Sequence, residues 1–196
     1  MDSPRWRPRR ATTAANIYGI ESELLWKPSA DDTLQAVFTY LVSEYRDYPT
    51  IDAQYYVATD PLTPLINLKG NKLPFAPEWT MALVYERALA LPNGAKLVPR
   101  LQTKYQSEMF LTDFNRDSDR QRGYTRTDLS MRYEAQAHWI IEAFVQNVED
   151  AAVKNNVDLR GNQPGTGGVP GFPGVARAFF DAPRTYGLRA TYRFGE

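Results

Sequence analysis

The stretch PRTYGLRATYRFGE, Pro183 to Glu196, closes the chain and decides how the rest is read. Tyr186, Leu188, Ala190, Tyr192 and Phe194 fall on one parity, Thr185, Gly187, Arg189, Thr191 and Arg193 on the other. A period of two belongs to a β-strand with two unlike faces. The apolar face must rest on a protein core or on lipid, and the remaining sequence has to choose.

Working outward, six further period-two runs stand at Asn16–Lys27, Thr33–Tyr45, Glu78–Arg87, Lys96–Gln106, Tyr124–Glu134 and His138–Asn147. Each is close to the ~9–11 residues that a tilted strand needs to cross a bilayer. Of about 33 positions on the seven apolar faces none is charged, where the 23% charged content of the chain would place about seven or eight by chance. The opposite faces carry about a dozen charges, too many for the dry core of a soluble sandwich. Apolar outside and polar inside is what a water-filled barrel requires. Tyr18, Trp26, Trp79, Tyr85, Tyr105, Tyr133 and Trp139 stand near the strand ends, where two interfacial girdles would form.

The connections alternate in length. Pro28–Asp32, Leu91–Ala95 and Ala135–Ala137 are tight turns; 46–77, 107–123 and 148–183 are long. Sorting of this kind predicts short periplasmic turns on one rim and long extracellular loops on the other. The fold class is therefore all-β, an antiparallel transmembrane β-barrel meander of about seven strands from a larger barrel. Residues 1–14, opening with the basic, Pro-rich MDSPRWRPRR, are expected to be disordered or the edge of a fragment, and no signal peptide is legible there.

Composition excludes more than it proposes. Lys+Arg and Asp+Glu both number 23 across 196 residues, so nothing points to nucleic acid. There is no cysteine for disulfides or thiolate metal sites. The mean hydropathy of −0.50 fits a barrel, since half of each strand is polar.

Against that background, IYGIESELLWKP (Ile17–Pro28), NKLPFAPEWT (Asn71–Thr80), FVQNVED (Phe144–Asp150) and PRTYGLRATYRF (Pro183–Phe194) resemble the closing strands of a TonB-dependent outer-membrane receptor. The resemblance covers residues 15–196 as the C-terminal part of the barrel domain. It implies a bacterial outer-membrane location and uptake of a scarce nutrient (a siderophore, vitamin B12 or a saccharide-like ligand) with TonB energy. It also implies a plug domain, TonB, the barrel-assembly machinery, the lipid bilayer and lipopolysaccharide as partners. Tyr186, Leu188, Tyr192 and the terminal aromatic Phe194 resemble the signal read by the assembly machinery, although the chain continues with Gly195 and Glu196. The plug and the earlier barrel strands are not in this sequence, so the chain alone is not expected to transport.

Candidate site residues follow from the polar face and the loops. Arg100, Lys104, Arg126, Arg132 and Arg189 form a basic lumen surface for an anionic ligand or plug carboxylates; alternatively they pair within the wall with Glu21, Glu23, Glu86, Asp128, Glu134 and Glu142. Tyr55, Tyr56 and Phe172, with Phe179 and Phe180, either close over a ligand or pack the loops together. Asp113–Asp119 begins like a calcium loop but has Ser118 and Tyr124 where Gly and Glu are required. The Gly/Pro-rich 161–174 lacks the ending of a phosphate loop. Ser107 or Ser130 with His138 is all that a hydrolase could offer; no catalytic motif, metal or cofactor is indicated. Two other readings stay open, a soluble or surface β-sheet binding module and a non-functional gene remnant.

Overall fold

The computed structural model describes residues 13–51, 65–135, 138–160 and 175–194. Seven long strands form one antiparallel sheet in sequence order: β1 (Ala14–Trp26), β2 (Asp32–Asp47), β3 (Trp79–Arg87), β4 (Lys96–Gln106), β5 (Tyr124–Glu134), β6 (Trp139–Gln146) and β7 (Thr185–Tyr192). Each run read from the sequence is a strand, displaced by at most two residues at its ends. A short strand, Leu89–Ala90, also pairs with β4. The sheet is an open meander, with β1 and β7 at its edges.

Register tests the two-face reading, because a slip of one residue would send half the apolar sets to the wrong side. It joins them all. Trp26 lies opposite Leu34, Leu34 opposite Tyr85 and Tyr85 opposite Leu101; the row continues through Leu129 and Val145 to Tyr186. Rows through Met131–Ala143–Leu188 and Tyr133–Ile141–Ala190 run parallel to it. From Tyr18 to Trp26 the apolar band of β1 spans roughly 26 Å along the strand. A tilt of ~40° brings that to about 20 Å, near the height of an outer-membrane apolar band.

The short turns have visible chemistry. Ser29 Oγ accepts from the Asp31 amide and donates to Asp32 Oδ2 (2.7 Å). Asn93 Oδ1 accepts from the Ala95 amide, and Gly94 takes the positive φ of 76° that the turn requires. The long connections are hairpins standing above the sheet rather than featureless loops. Pro49–Ile51 pairs with Leu65–Asn67, Met109–Phe110 with Arg120–Gln121, and Lys154–Arg160 with Val175–Phe180. Most of the buried apolar side chains sit here (Leu68, Met109, Leu111, Val153, Val157), while the sheet's outer face stays bare. The loops have a small core; the wall does not.

Candidate functional site

Three surfaces could do chemistry: the outer face, the inner face and the loop cluster. On the outer face Tyr18, Trp26, Trp79, Tyr105 and Trp139 are all exposed, and so are Tyr186 (81%), Leu188 (79%) and Phe194 (88%). The aromatics sort by height. Tyr18, Tyr40, Trp79 and Tyr105 lie toward the long loops, with Tyr40 and Trp79 rings 4.4 Å apart. Trp26, Tyr85, Tyr133, Trp139 and Tyr192 lie toward the short turns, where Trp139 and Tyr192 rings are 4.9 Å apart and Phe194 packs edge-on against Tyr192 at 4.7 Å. His138 joins this lower cluster at 5.8 Å from Tyr192, with φ of 57° at the turn. Polar groups close the band at both ends: Asn16 and Glu44 above (3.4 Å), Asp32 and Arg87 below (3.8 Å).

The inner face carries the sequence-selected basic residues. Arg189 pairs with Glu142 directly across β6–β7 at 2.7 Å. Arg100 pairs with Glu86 across β3–β4 at 3.7 Å. Arg132 faces the small, buried Val98, so its guanidinium reaches over β4 to Glu86 (3.7 Å) as well as to Glu134 (2.7 Å). Arg126 approaches Asp128 (3.9 Å) and Asp181 (3.3 Å), the latter from a loop. Together Arg100, Arg132, Arg189, Asp128 and Glu142 line a shallow polar depression of about 180 Å³. Lys104 differs. It is exposed, faces Arg126 across the β4–β5 register, and has no carboxylate at ion-pair distance among the described residues. Glu21 and Glu23 remain free of ion pairs among those residues too, on the edge strand β1.

Phe144 is the one large aromatic on this face within β6. It fits because its neighbour across the ladder is Gly187: a Cβ there would lie 2.8 Å from the ring. Glycine makes the space and the aromatic ring covers it, while the Arg189 guanidinium sits 5.6 Å above the same ring.

The loops are tied to one another by side-chain amides. Asn115 donates to the Lys72 carbonyl (2.9 Å) and accepts from the Lys72 amide (2.7 Å), while Asn71 donates to the Asp113 carbonyl (2.8 Å). Tyr45 Oη donates to Asp113 at 2.5 Å. Gln121 Oε1 accepts from the Lys154 amide (2.6 Å), and Lys154 Nζ donates to the carbonyls of Ser118 and Arg120. Asn147, fully buried at the base of the third loop, donates to the carbonyls of Ala151 and Ala182 and accepts from the Ala151 amide. Two loop carboxyls are shifted. Burial pushes Asp119 up, against the Thr112 hydroxyl that donates to it. Burial also works to raise Glu149, but the hydroxyl and amide of Thr127 donate to it and hold it below its ordinary range.

Tyr55, Tyr56 and Phe172 lie outside the described residues, as do Gly195 and Glu196. Phe179 and Phe180 are exposed on the third hairpin. Ser107 donates no proton to His138: its hydroxyl accepts from the Trp79 amide at 3.0 Å, and the two lie at opposite rims. Among the described residues no group of three metal-ligating side chains forms. Sequence reasoning missed Asn147, Gly187 and Asp181. The first two stand in FVQNVED and PRTYGLRA as an Asn leaving a strand and a Gly inside one, both recognisable signals; Asp181 gave none.

An open antiparallel wall with polar groups within, an apolar band without, and loops sorted by length is part of a transmembrane β-barrel. The chain belongs to the TonB-dependent receptor β-barrel family: residues 2–148 match the family described as "TonB dependent receptor-like, beta-barrel". Three solved structures are similar in fold. The ferric yersiniabactin uptake receptor FyuA from Yersinia pestis is 20% identical, with a TM-score of 0.70 over 92% of this chain. The siderophore receptor PiuA from Acinetobacter baumannii is 16% identical, with 0.63 over 90%. The ferric preacinetobactin receptor BauA from the same organism is 19% identical, with 0.62 over 91%. The chain spans only 24%, 21% and 22% of those receptors. No curated protein matches it in sequence. The relatives are receptors of the bacterial outer membrane, not enzymes.

Proposed function

We propose that this chain is the C-terminal lumen wall of a receptor that takes up a scarce nutrient, such as a ferric siderophore, vitamin B12 or a saccharide-like ligand, with TonB energy. One observation carries the reading: the register gathers every apolar parity on one side and the ion-paired charges on the other. The wall supplies loops above, a charged lining within and, at Tyr186, Leu188, Tyr192 and Phe194, the aromatic end that the barrel-assembly machinery reads. Lipopolysaccharide meets the upper girdle, and the lower girdle meets the inner leaflet. The lining is there to hold a plug domain, and its loops help to select the ligand.

Within the lining, Lys104 is where an anionic group of the plug or ligand is met. Arg100, Arg132 and Arg189 already have carboxylates at 2.7–3.7 Å, whereas Lys104 stands between Arg126 and Ala82 in the ladder. An exposed ion pair is worth about 0.2–1 kcal/mol, so Lys104→Glu should raise the half-saturation for uptake by up to about fivefold, with Lys104→Arg near wild type. Equal half-saturation for the Glu variant would remove Lys104 from the site. The broader reading is tested in cells lacking other receptors. The full receptor containing this segment should restore ligand uptake only when TonB is present, and these 196 residues alone should restore none. Uptake by the segment alone, or uptake independent of TonB, would overturn it.

A further inference from the structure

The outer face is not uniformly smooth. Between β3 and β6 it holds an apolar groove of about 430 Å³ lined by Tyr85, Pro99, Leu101, Met131, Ala143 and Val145. Two features of sequence make it. Pro99 has no amide to donate and is normally excluded from a central strand. Its β5 partner Met131 is kept, but the ladder to β3 lapses there: β3 stops at Arg87, the Ala88 amide donates to the Asp31 carbonyl (2.8 Å), and pairing resumes at Leu89 opposite Leu97. Ala143 then stands between the longer Met131 and Leu188 in its row, which leaves a dip.

Directly below the groove is a charged cluster. Tyr85 Oη donates to Asp32 Oδ1 at 2.7 Å, and Asp32 Oδ2 accepts from Ser29, so two neutral donors satisfy this carboxylate. Arg87 Nε lies 3.8 Å from Asp32 Oδ1, beyond a good hydrogen bond, and the Arg87 side chain is half exposed. Arg87 follows Tyr85 on the lipid-facing parity and is the first cation below the apolar band. An apolar slot ending at a loosely held guanidinium fits an acyl chain capped by a phosphate.

We infer that this groove and Arg87 form a binding site for one inner-leaflet glycerophospholipid, its acyl chain along Pro99 and Ala143 and its phosphate on Arg87. The inference rests on the proposed placement of the short turns in the periplasm. The full receptor is reconstituted in vesicles of phosphatidylethanolamine and phosphatidylglycerol carrying a trace of phosphatidylglycerol with a diazirine-tagged acyl chain. After illumination, labelling is mapped by mass spectrometry. Labelling at Met131 and Ala143 should exceed that at Phe38, an outer-face residue of β2 that lies outside the groove. Arg87→Gln should cut the groove labelling by about fivefold, the effect expected for one basic group at a membrane surface, and Arg87→Lys should restore most of it. Ala143→Phe, which fills the dip, should abolish the excess at Met131 even if Arg87→Gln folds poorly. Equal labelling of groove and Phe38 overturns the site while leaving the barrel reading intact. An excess indifferent to Arg87 overturns it as well. Absence of labelling at Phe38 and at the groove alike would overturn both.

Discussion

Asp119 and Glu149 show how much one side chain can decide in a loop. Asp119 is wholly buried, with one carboxylate oxygen that has no hydrogen-bond partner among the described residues, and its pKa is raised by that burial. It holds its proton more tightly folded than unfolded. Its contribution to loop stability is therefore complete below the unfolded pKa and is lost as pH rises through the raised, folded value. Hydrogen exchange across Met109–Gln121 in the full receptor should quicken over that rise, and Asp119→Asn should flatten the dependence; a pH response unchanged in the variant would assign it elsewhere. Glu149 has the opposite sign: its lowered pKa gives stability above the unfolded value that is lost on acidification. Asn147 is the costlier residue to alter. Its amide holds Ala151 and Ala182, and its φ of 55° suits asparagine better than alanine. Asn147→Ala leaves those groups unpaired, so the base of the third loop should loosen by about 2–3 kcal/mol, or ~30-fold or more in exchange rate. Exchange within a factor of two of wild type would show that water replaces the side chain without loss.

At the scale of elements, all seven wall strands were legible because each face obeys a different solvent and a period of two writes that difference into the sequence. The loops were less so. A hairpin such as Lys154–Arg160 with Val175–Phe180 buries too little for periodicity to show, and ties such as Asn115 to Lys72 join residues 43 positions apart. Of the candidate site, the identity of the lumen arginines was readable but their partners were not, since Arg132 reaching Glu86 depends on Val98 being small. The charges at the lower rim, Asp32 and Arg87, were hidden because they sit where the alternation ends. The two-face reading itself can be tested with neighbouring residues. Leu129 lies on the outer face and Ser130 on the inner. Leu129→Arg should cost about 2–4 kcal/mol near the membrane centre and sharply reduce the heat-modifiable, folded receptor in the outer membrane. Ser130→Arg, beside Arg100, should cost far less. Equal losses, or the reverse order, would place lipid on the wrong side.

At the scale of the molecule, the sheet is defined by what it lacks. Among the described residues β1 and β7 each present one unpaired edge, and the band from Tyr18 to Leu188 stays bare. In water, exposed edges template further pairing and a large apolar face drives association. The relatives resolve both problems together, since their length is four to five times what this chain covers: further strands meet the edges and lipid meets the face. The 196 residues made alone should therefore be held by detergent or accumulate as aggregates, and should not migrate as a heat-modifiable monomer from vesicles. Sedimentation in buffer with and without detergent, paired with electrophoresis before and after boiling, measures both properties. A monodisperse species without detergent would mean that the apolar face has found another cover, as a soluble binding module requires. A heat-modifiable monomer in vesicles would mean that β1 and β7 close on each other. Seven strands would then form a barrel narrower than the eight that side chains just fill, leaving no room for the twelve charges from Glu21 and Glu23 to Arg189 that now face inward; that crowding is why the open wall, completed by other strands, is the expected outcome.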